Sequence, residues 1–180
     1  MTLGGIGRTI LLTLAAALAA ASTAAAAPAR TRQPQAALST LERGVLLDIN
    51  VLRQEHHLAA LRLNVQLTSA ARLHSQQMAA DGYFEHESAD GSAFWKRVQR
   101  FYASSPWSYW SVGENLLWSS PGIDGAGALK LWLASPEHRK NLMNPNWREI
   151  GVSAVHAAQA PGVYHGLGVT IVTTDFGVRR

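Results

Sequence analysis

Apolar residues recur every three or four positions through most of the chain and crowd into β-branched runs near its end. Leu41, Val45, Ile49 and Leu52 define one buried helical face. Ser39 precedes them and Glu42 follows three residues later, a capping-box pattern that starts a helix running to about His57. From Thr68, Ala71, His74 and Met78 continue a stripe begun at Leu67, and Gly82 stands where a left-handed C-terminal cap belongs. Ser92–Phe101 reads as a short third helix, and Ala103–Val112, rich in Ser and aromatics around Pro106, as a loop. Asp124–Ala134, with Ala128, Leu131 and Trp132 at helical spacing, makes a fourth helix closed by Ser135-Pro136. Glu149–Ala157 and Val163–Phe176 are rich in Val, Ile and Thr, with Pro161-Gly162 between them, and predict a strand hairpin or meander. Helices first and strands last point to an α+β class.

The beginning of the chain has a different character. Arg8, an apolar run over Ile10–Ala21 and small residues to Ala27 have the three-part layout of a secretory signal peptide. The run is short and Ala-rich for a membrane anchor, which needs about 20 strongly apolar residues. The expected organisation is therefore a signal peptide over 1–27, a flexible leader over 28–38 and one domain over 39–180. The mature protein is expected to be secreted or periplasmic, without a stable transmembrane segment.

The chain has no cysteine, which excludes disulfides, thiolate metal ligands and a Cys nucleophile. Such a domain is held by its core, and six Trp contribute to that. The net charge of +4 falls only slightly when Arg8 leaves with the leader. No basic run with interleaved aromatics is visible, so nucleic acid is not an expected partner.

The chemistry gathers in three polar clusters: Phe84-Glu85-His86, Gly113-Glu114-Asn115-Leu116 and Ser135-Pro136-Glu137-His138-Arg139. His86 reads as a metal ligand or acid–base group, or as a loop histidine bonded to its own turn. Glu114, among apolar neighbours, must be paired when buried; it reads as a general base, an orienter of a histidine or a loop brace. Ser135, Pro136 and Glu137 have the cap, first-turn and dipole positions of a new helix, which leaves His138 and Arg139 unexplained. Arg139 is expected to pair with Glu114 or Glu149 or to be solvated. His74 reads as a satisfied core histidine, His56 and His57 as surface residues, and the Asn residues 115, 141, 144 and 146 as partners for irregular backbone. Trp107, Trp110 and Trp118 are read as packing residues first and cleft residues second. No G-x-S-x-G elbow, Walker loop, H-E-x-x-H helix or dinucleotide fingerprint is present.

The ordered set Gly82-Tyr83-Phe84-Glu85-His86, Gly113-Glu114-Asn115-Leu116, Leu131-Trp132-Leu133, Ser135-Pro136-Glu137-His138-Arg139, Ile150-Gly151-Val152 and Asp175-Phe176-Gly177 resembles the CAP superfamily. That superfamily holds cysteine-rich secretory, antigen 5 and pathogenesis-related proteins, and the last helical block resembles its bacterial SCP-domain branch. The resemblance implies a three-layer α-β-α sandwich with a central, largely antiparallel sheet. It also implies an open cleft lined by two His and two acids that in several members holds a divalent metal such as zinc. His86 matches the first family His, and Glu114 the acid of Gly-Glu-Asn. The eukaryotic second His falls at Ile171-Val172-Thr173-Thr174, which has no imidazole, and His138 stands in for it. Glu137 only approximates the family's helix-end acid.

Two functions are compatible with these residues. The favoured one is a binding module for a lipid, glycan or cell-wall fragment of the envelope, with His86, Glu114 and His138 in the cleft and a divalent cation such as Zn²⁺ as an optional component. The alternative is a metal-assisted hydrolase in which His86 and His138 hold the metal and Glu114 activates water.

Overall fold

The computed structural model describes residues 37–180, so the expected signal peptide and most of the leader lie outside them. The elements are α1 (Thr40–Glu55), β1 (Arg62–Leu63), α2 (Val65–Asp81), α3 (Phe94–Phe101), β2 (Trp110–Ser119), α4 (Gly125–Ala134), α5 (Pro136–Met143), β3 (Glu149–Ala157) and β4 (Val169–Arg179). A single 3₁₀ turn (Gly162–Tyr164) precedes β4.

The capping box forms as its sequence predicts. Glu42 N–H donates to Ser39 Oγ at 3.1 Å, and Ser39 N–H donates to Glu42 Oε2 at 2.7 Å. Glu42 is itself buried, and its other oxygen accepts from Ala154 N–H at 3.1 Å, tying the start of α1 to β3. The helix ends at Glu55, with His56 as its cap. At the second helix the expected start is displaced. Asn64, not Thr68, is the cap, and its side chain accepts from Gln66 and Leu67 N–H. An Asn carbonyl in extended backbone satisfies two otherwise orphaned donors, and Thr68 lies inside the helix. Gly82 closes α2 in the left-handed region at φ 73°, as expected.

The four strands are ordered β1-β3-β4-β2. β3 and β4 pair antiparallel from Glu149↔Gly177 to Ala157↔Val169, which is the expected hairpin. β4 is shorter at its start than the Val163–Phe176 run suggested, because His165 and Gly166 at positive φ form a turn before it. β2 pairs antiparallel with the outer side of β4 along its whole length, from Trp110↔Arg179 to Ser119↔Thr170. The expected loop over Ala103–Val112 therefore gives way to strand at Trp110. Only the two-residue β1 is parallel, to β3.

The sheet separates two helical layers, giving the three-layer α-β-α sandwich. On one face α2 and α3 pack Leu67, Ala70, Met78 and Val98 against Val112, Leu116 and Ile171. On the other, Val45, Ile49, Trp132 and Leu142 of α1, α4 and α5 pack against Leu117, Ile150, Val172 and Phe176. Central β4 is buried from Val169 through Val178, and β2 is left as an edge. The cleft forms along that edge.

Candidate functional site

Glu114 sits mid-way along β2 and is 4% exposed. A carboxylate at that depth requires charged or donor partners. It has two. His86 Nδ1 lies 2.9 Å from Oε1, so the imidazole N–H donates to the carboxylate. The Arg97 guanidinium donates to Oε2. Arg97 comes from α3, is 2% exposed, and also donates to His86 O at 3.3 Å and Ser88 Oγ at 3.1 Å. It thus braces both the carboxylate and the loop that carries His86. His86 keeps about half of its side chain exposed and leaves Nε2 without a partner among the described residues. The hydrogen bond to Glu114 raises its pKa above the ordinary value, against an opposing effect of burial.

His138 faces the same space from α5. Burial, followed by the proximity of His86, lowers its pKa, which favours a neutral imidazole. Two amides hold α5 to the β2 edge. Asn141 Nδ2 donates to Glu114 O and to Asn115 Oδ1, both at 2.9 Å, and Asn115 Nδ2 donates to His138 O at 3.1 Å. These are the backbone-satisfying amides the sequence predicted, and here they also position the second imidazole. Pro136 occupies the first turn of α5 as expected, but Ser135 makes no side-chain cap bond. The expected role of Ser135 as a capping side chain is corrected accordingly.

His86, Phe94, Val112, Gly113, Glu114, Glu137, His138, Lys140 and Asn141 line one cleft of about 480 Å³, so the approximate helix-end acid Glu137 also borders it. His86, Glu114 and His138 are thus brought together. A second hollow of about 280 Å³, lined by Phe84, Leu116, Trp118, Leu131, Trp132 and His138, lies further along the same strand edge. His138 borders both. Arg139 is exposed and pairs with neither carboxylate; Arg97 takes Glu114, and the Tyr102 hydroxyl donates to Glu149 at 2.6 Å. His74 is buried, with Nε2 2.9 Å from Glu85 O and a pKa lowered to about 4 chiefly by burial, so it is a neutral core histidine. Trp110 packs, donating to Tyr102 O at 2.9 Å, and Trp118 lines the apolar hollow. Trp107 does neither and is 45% exposed.

Sequence reasoning missed two site residues, Arg97 and Asp175. Asp175 on β4 is in register with Glu114, fully buried, and has both oxygens without a donor among the described residues. Burial, and then the Glu114 carboxylate, raise its pKa well above the ordinary carboxyl range. A protonated Asp175 is a donor beside Glu114 and not a second buried anion. A carboxyl inside a Val/Ile/Thr strand was the available signal for it.

The donor set bears directly on metal chemistry. Among the described residues no three His, Cys, Asp or Glu side chains converge in a way that holds a metal ion. Glu137 borders the cleft with the two imidazoles but does not converge with them into the three protein ligands of a catalytic zinc centre. Glu114 has one charge-assisted partner on each oxygen, His86 on Oε1 and Arg97 on Oε2, an arrangement that orients the His86 ring.

Comparison with known proteins fits the architecture. The Bacillus subtilis (strain 168) protein YkwD is 31% identical over 127 residues, covering 71% of this chain and 47% of YkwD. A crystal structure of an extracellular SCP-domain protein from Bacillus anthracis superposes with TM-score 0.56 at 31% identity, covering 77% of this chain and 41% of that one. An outer surface protein of Borrelia burgdorferi superposes with TM-score 0.62 at 20% identity, covering 79% and 97%. This chain spans less than half the length of YkwD and of the Bacillus anthracis chain. No helix among the described residues is long and apolar enough to cross a membrane. The model of the cysteine-rich secretory protein family, CAP, matches residues 46–173, and with the sandwich and the His86–Glu114 cleft in place the chain belongs to that family.

Proposed function

We propose that the domain is an exported binding module for an amphiphilic envelope lipid, its polar head against His86 and His138 and its apolar part along Phe84, Trp118 and Leu131. The observation that carries this reading is the shared border. One imidazole, His138, edges both the polar cleft and the apolar hollow, so a single ligand reaches both. Two further features support it. His86 is held as a donor by a buried Arg97–Glu114 pair, a preorganised contact for a polar or anionic head group. The polar cleft has no Ser, Thr or Cys to act as a nucleophile, and the one hydroxyl residue of the adjoining hollow is Ser135 at the start of α5, which favours binding over covalent catalysis.

Displacement of a pyrene-labelled fatty acid provides the test. Loss of a hydrogen bond to a charged or polar head weakens binding by about tenfold, so His138→Ala is expected to show that loss. Leu131→Glu, at an exposed position on the apolar side, is expected to weaken binding at least as much. Absence of saturable binding, or wild-type affinity in both variants, overturns the proposal.

A further inference from the structure

A second surface feature lies at the other end of β2, away from the apolar hollow. Trp107 and Tyr109 project from the loop that enters β2 and are 45% and 41% exposed. The end of the chain folds against that loop. Tyr109 N–H donates to Arg180 O at 2.8 Å, Arg180 N–H donates to Tyr109 O at 3.1 Å, and Ser108 Oγ donates to Arg180 O at 2.9 Å. The main-chain ladder of β2 and β4 is thereby continued by one pair beyond Trp110↔Arg179. Residues far apart in sequence are brought side by side. The Arg179 guanidinium lies 4.0 Å from the Tyr102 ring centroid and 5.2 Å from that of Trp107, and the Arg180 guanidinium lies 4.8 Å from that of Tyr109.

Arg179 is fixed there, donating to Gln66 Oε1 at 2.7 Å and to Ala103 O at 3.4 Å. Arg180 is exposed and makes no side-chain hydrogen bond or ion pair among the described residues. No acidic side chain occurs between Gly91 and Gly113 or over residues 176–180. Glu149, the acid that contacts Tyr102 beneath the patch, is engaged by the Tyr102 hydroxyl at 2.6 Å and by Asn64 Nδ2 at 3.0 Å. The patch is a basic–aromatic cluster that no single stretch of sequence displays.

We propose that Trp107, Tyr109, Arg179 and Arg180 form a platform for an acidic polysaccharide. Exposed aromatic rings accept the C–H faces of sugars, and the guanidinium groups take carboxylate or phosphate oxygens on the same chain. Other polyanions and surfaces fit less well. Two guanidinium groups neutralise two phosphates, against roughly 6–10 phosphate contacts in a salt-sensitive nucleic-acid interface. A membrane-inserting loop presents aliphatic bulk beside its aromatics, and Ala103–Tyr109 contains no Leu, Ile, Val, Met or Phe. The platform is independent of the cleft: Trp110 and Gly113 are three residues apart on β2, about 10 Å of extended strand. It supplies an attachment to an anionic envelope polymer whatever the cleft holds.

The test is surface plasmon resonance of the purified domain over immobilised polygalacturonate, a phosphomannan, neutral dextran, a single-stranded oligonucleotide and anionic phospholipid vesicles. Saturable binding to one or both anionic sugar polymers is expected, and the two arms separate carboxylate from phosphate recognition. Trp107→Ala and Arg180→Ala are each expected to weaken it by about tenfold, because each removes a stacking or charge-assisted contact. Arg139→Ala, an exposed charge change on α5, and His138→Ala are expected to bind like wild type. Equal binding to dextran, tighter binding to the oligonucleotide or vesicles, or the same loss in Arg139→Ala as in Arg180→Ala overturns the proposal. Trp107, Tyr109 and Arg180 are exposed and Arg179 is half-buried, and circular dichroism of each variant checks that the fold is retained.

Discussion

Glu114 is the residue on which the candidate site turns, because it meets three ionisable side chains in different states. Arg97 is a buried cation, His86 is biased toward its charged form, and Asp175 is biased toward its neutral form. Asp175 gives the sharpest test. Its folded pKa lies above that of the unfolded chain, so between those two values the folded state holds a proton that the unfolded state has released. Stability then falls as pH rises through that window. Asp175→Asn keeps the size and supplies a permanent neutral donor, so this component of the pH dependence is removed. The variant is expected to match wild type near the unfolded carboxyl pKa and to become progressively more stable than wild type as pH rises, measured by urea denaturation at stepped pH. Parallel profiles for the two proteins would show that Asp175 is ionised in the fold. His86 acts in the same direction: its raised pKa gives stability that is full below its unfolded value and is lost as pH rises through the folded value. Arg97 shows why part of this site was hidden in sequence. Three residues after Phe94 and four before Phe101, it lies on the apolar stripe of α3, yet an Arg on a short helix bearing Lys96 and Arg100 reads as a solvated charge. Only its placement beside a buried carboxylate reveals its role.

At the scale of elements, β2 and α5 form the site together. Edge strands expose main-chain groups that invite pairing with other chains. Here the outward carbonyls of Glu114 and Leu116 accept from Asn141 Nδ2 at 2.9 Å and Trp132 Nε1 at 3.0 Å, so side chains of α5 and α4 cover the edge. The same contact fixes His138 relative to Glu114. Asn141→Ala removes donors to two acceptors and is expected to cost about 1–3 kcal/mol, read from chemical denaturation. Because α5 then loses its latch, fatty-acid displacement is expected to weaken in parallel, and an unchanged midpoint together with unchanged binding would rule out the latch. The helices α1, α3 and α4 and the β3–β4 hairpin were legible because periodicity, Ser39, Asp124 and Pro161-Gly162 mark them locally. β2 was not, for a physical reason. Both of its faces are covered, with Val112, Leu116 and Trp118 on one side and Leu117 on the other, so no polar–apolar alternation survives. Its Gly-Glu-Asn centre carries polar groups that belong to the site and imitates a loop.

In the whole molecule, the site depends on how closely α2 lies on the sheet, since α2 ends at the Gly82 cap from which the His86 loop departs. That distance is set at Gly151 on β3, directly opposite Asp175. A Cβ built there would lie 2.1 Å from Leu67 C and 2.2 Å from Thr68 N, both main-chain atoms of α2. Backbone cannot yield as a side-chain tip does, so any larger residue must lift the first turns of α2 from β3. The contacts at risk are those of Leu67 and Ala70 with Val98 and Tyr102, together with the Ser75–Thr173 hydroxyl bond at 2.8 Å further along the helix. Overpacking of a close-packed interior typically costs about 1–3 kcal/mol when side chains can adjust, and a main-chain collision exceeds that range. For a domain of this size 1 kcal/mol shifts the midpoint by about 4 °C, so Gly151→Ala is expected to lower Tm by more than about 10 °C or to prevent soluble expression. Gly91→Ala, at a positive-φ turn with nothing within 4 Å of the added atom, isolates the cost of lost backbone freedom from the cost of collision. It is expected to lose only about 1–2 kcal/mol. If Gly151→Ala melts with Gly91→Ala, α2 has room to move on the sheet, and the rigid spacing that holds His86 over Glu114 has another origin.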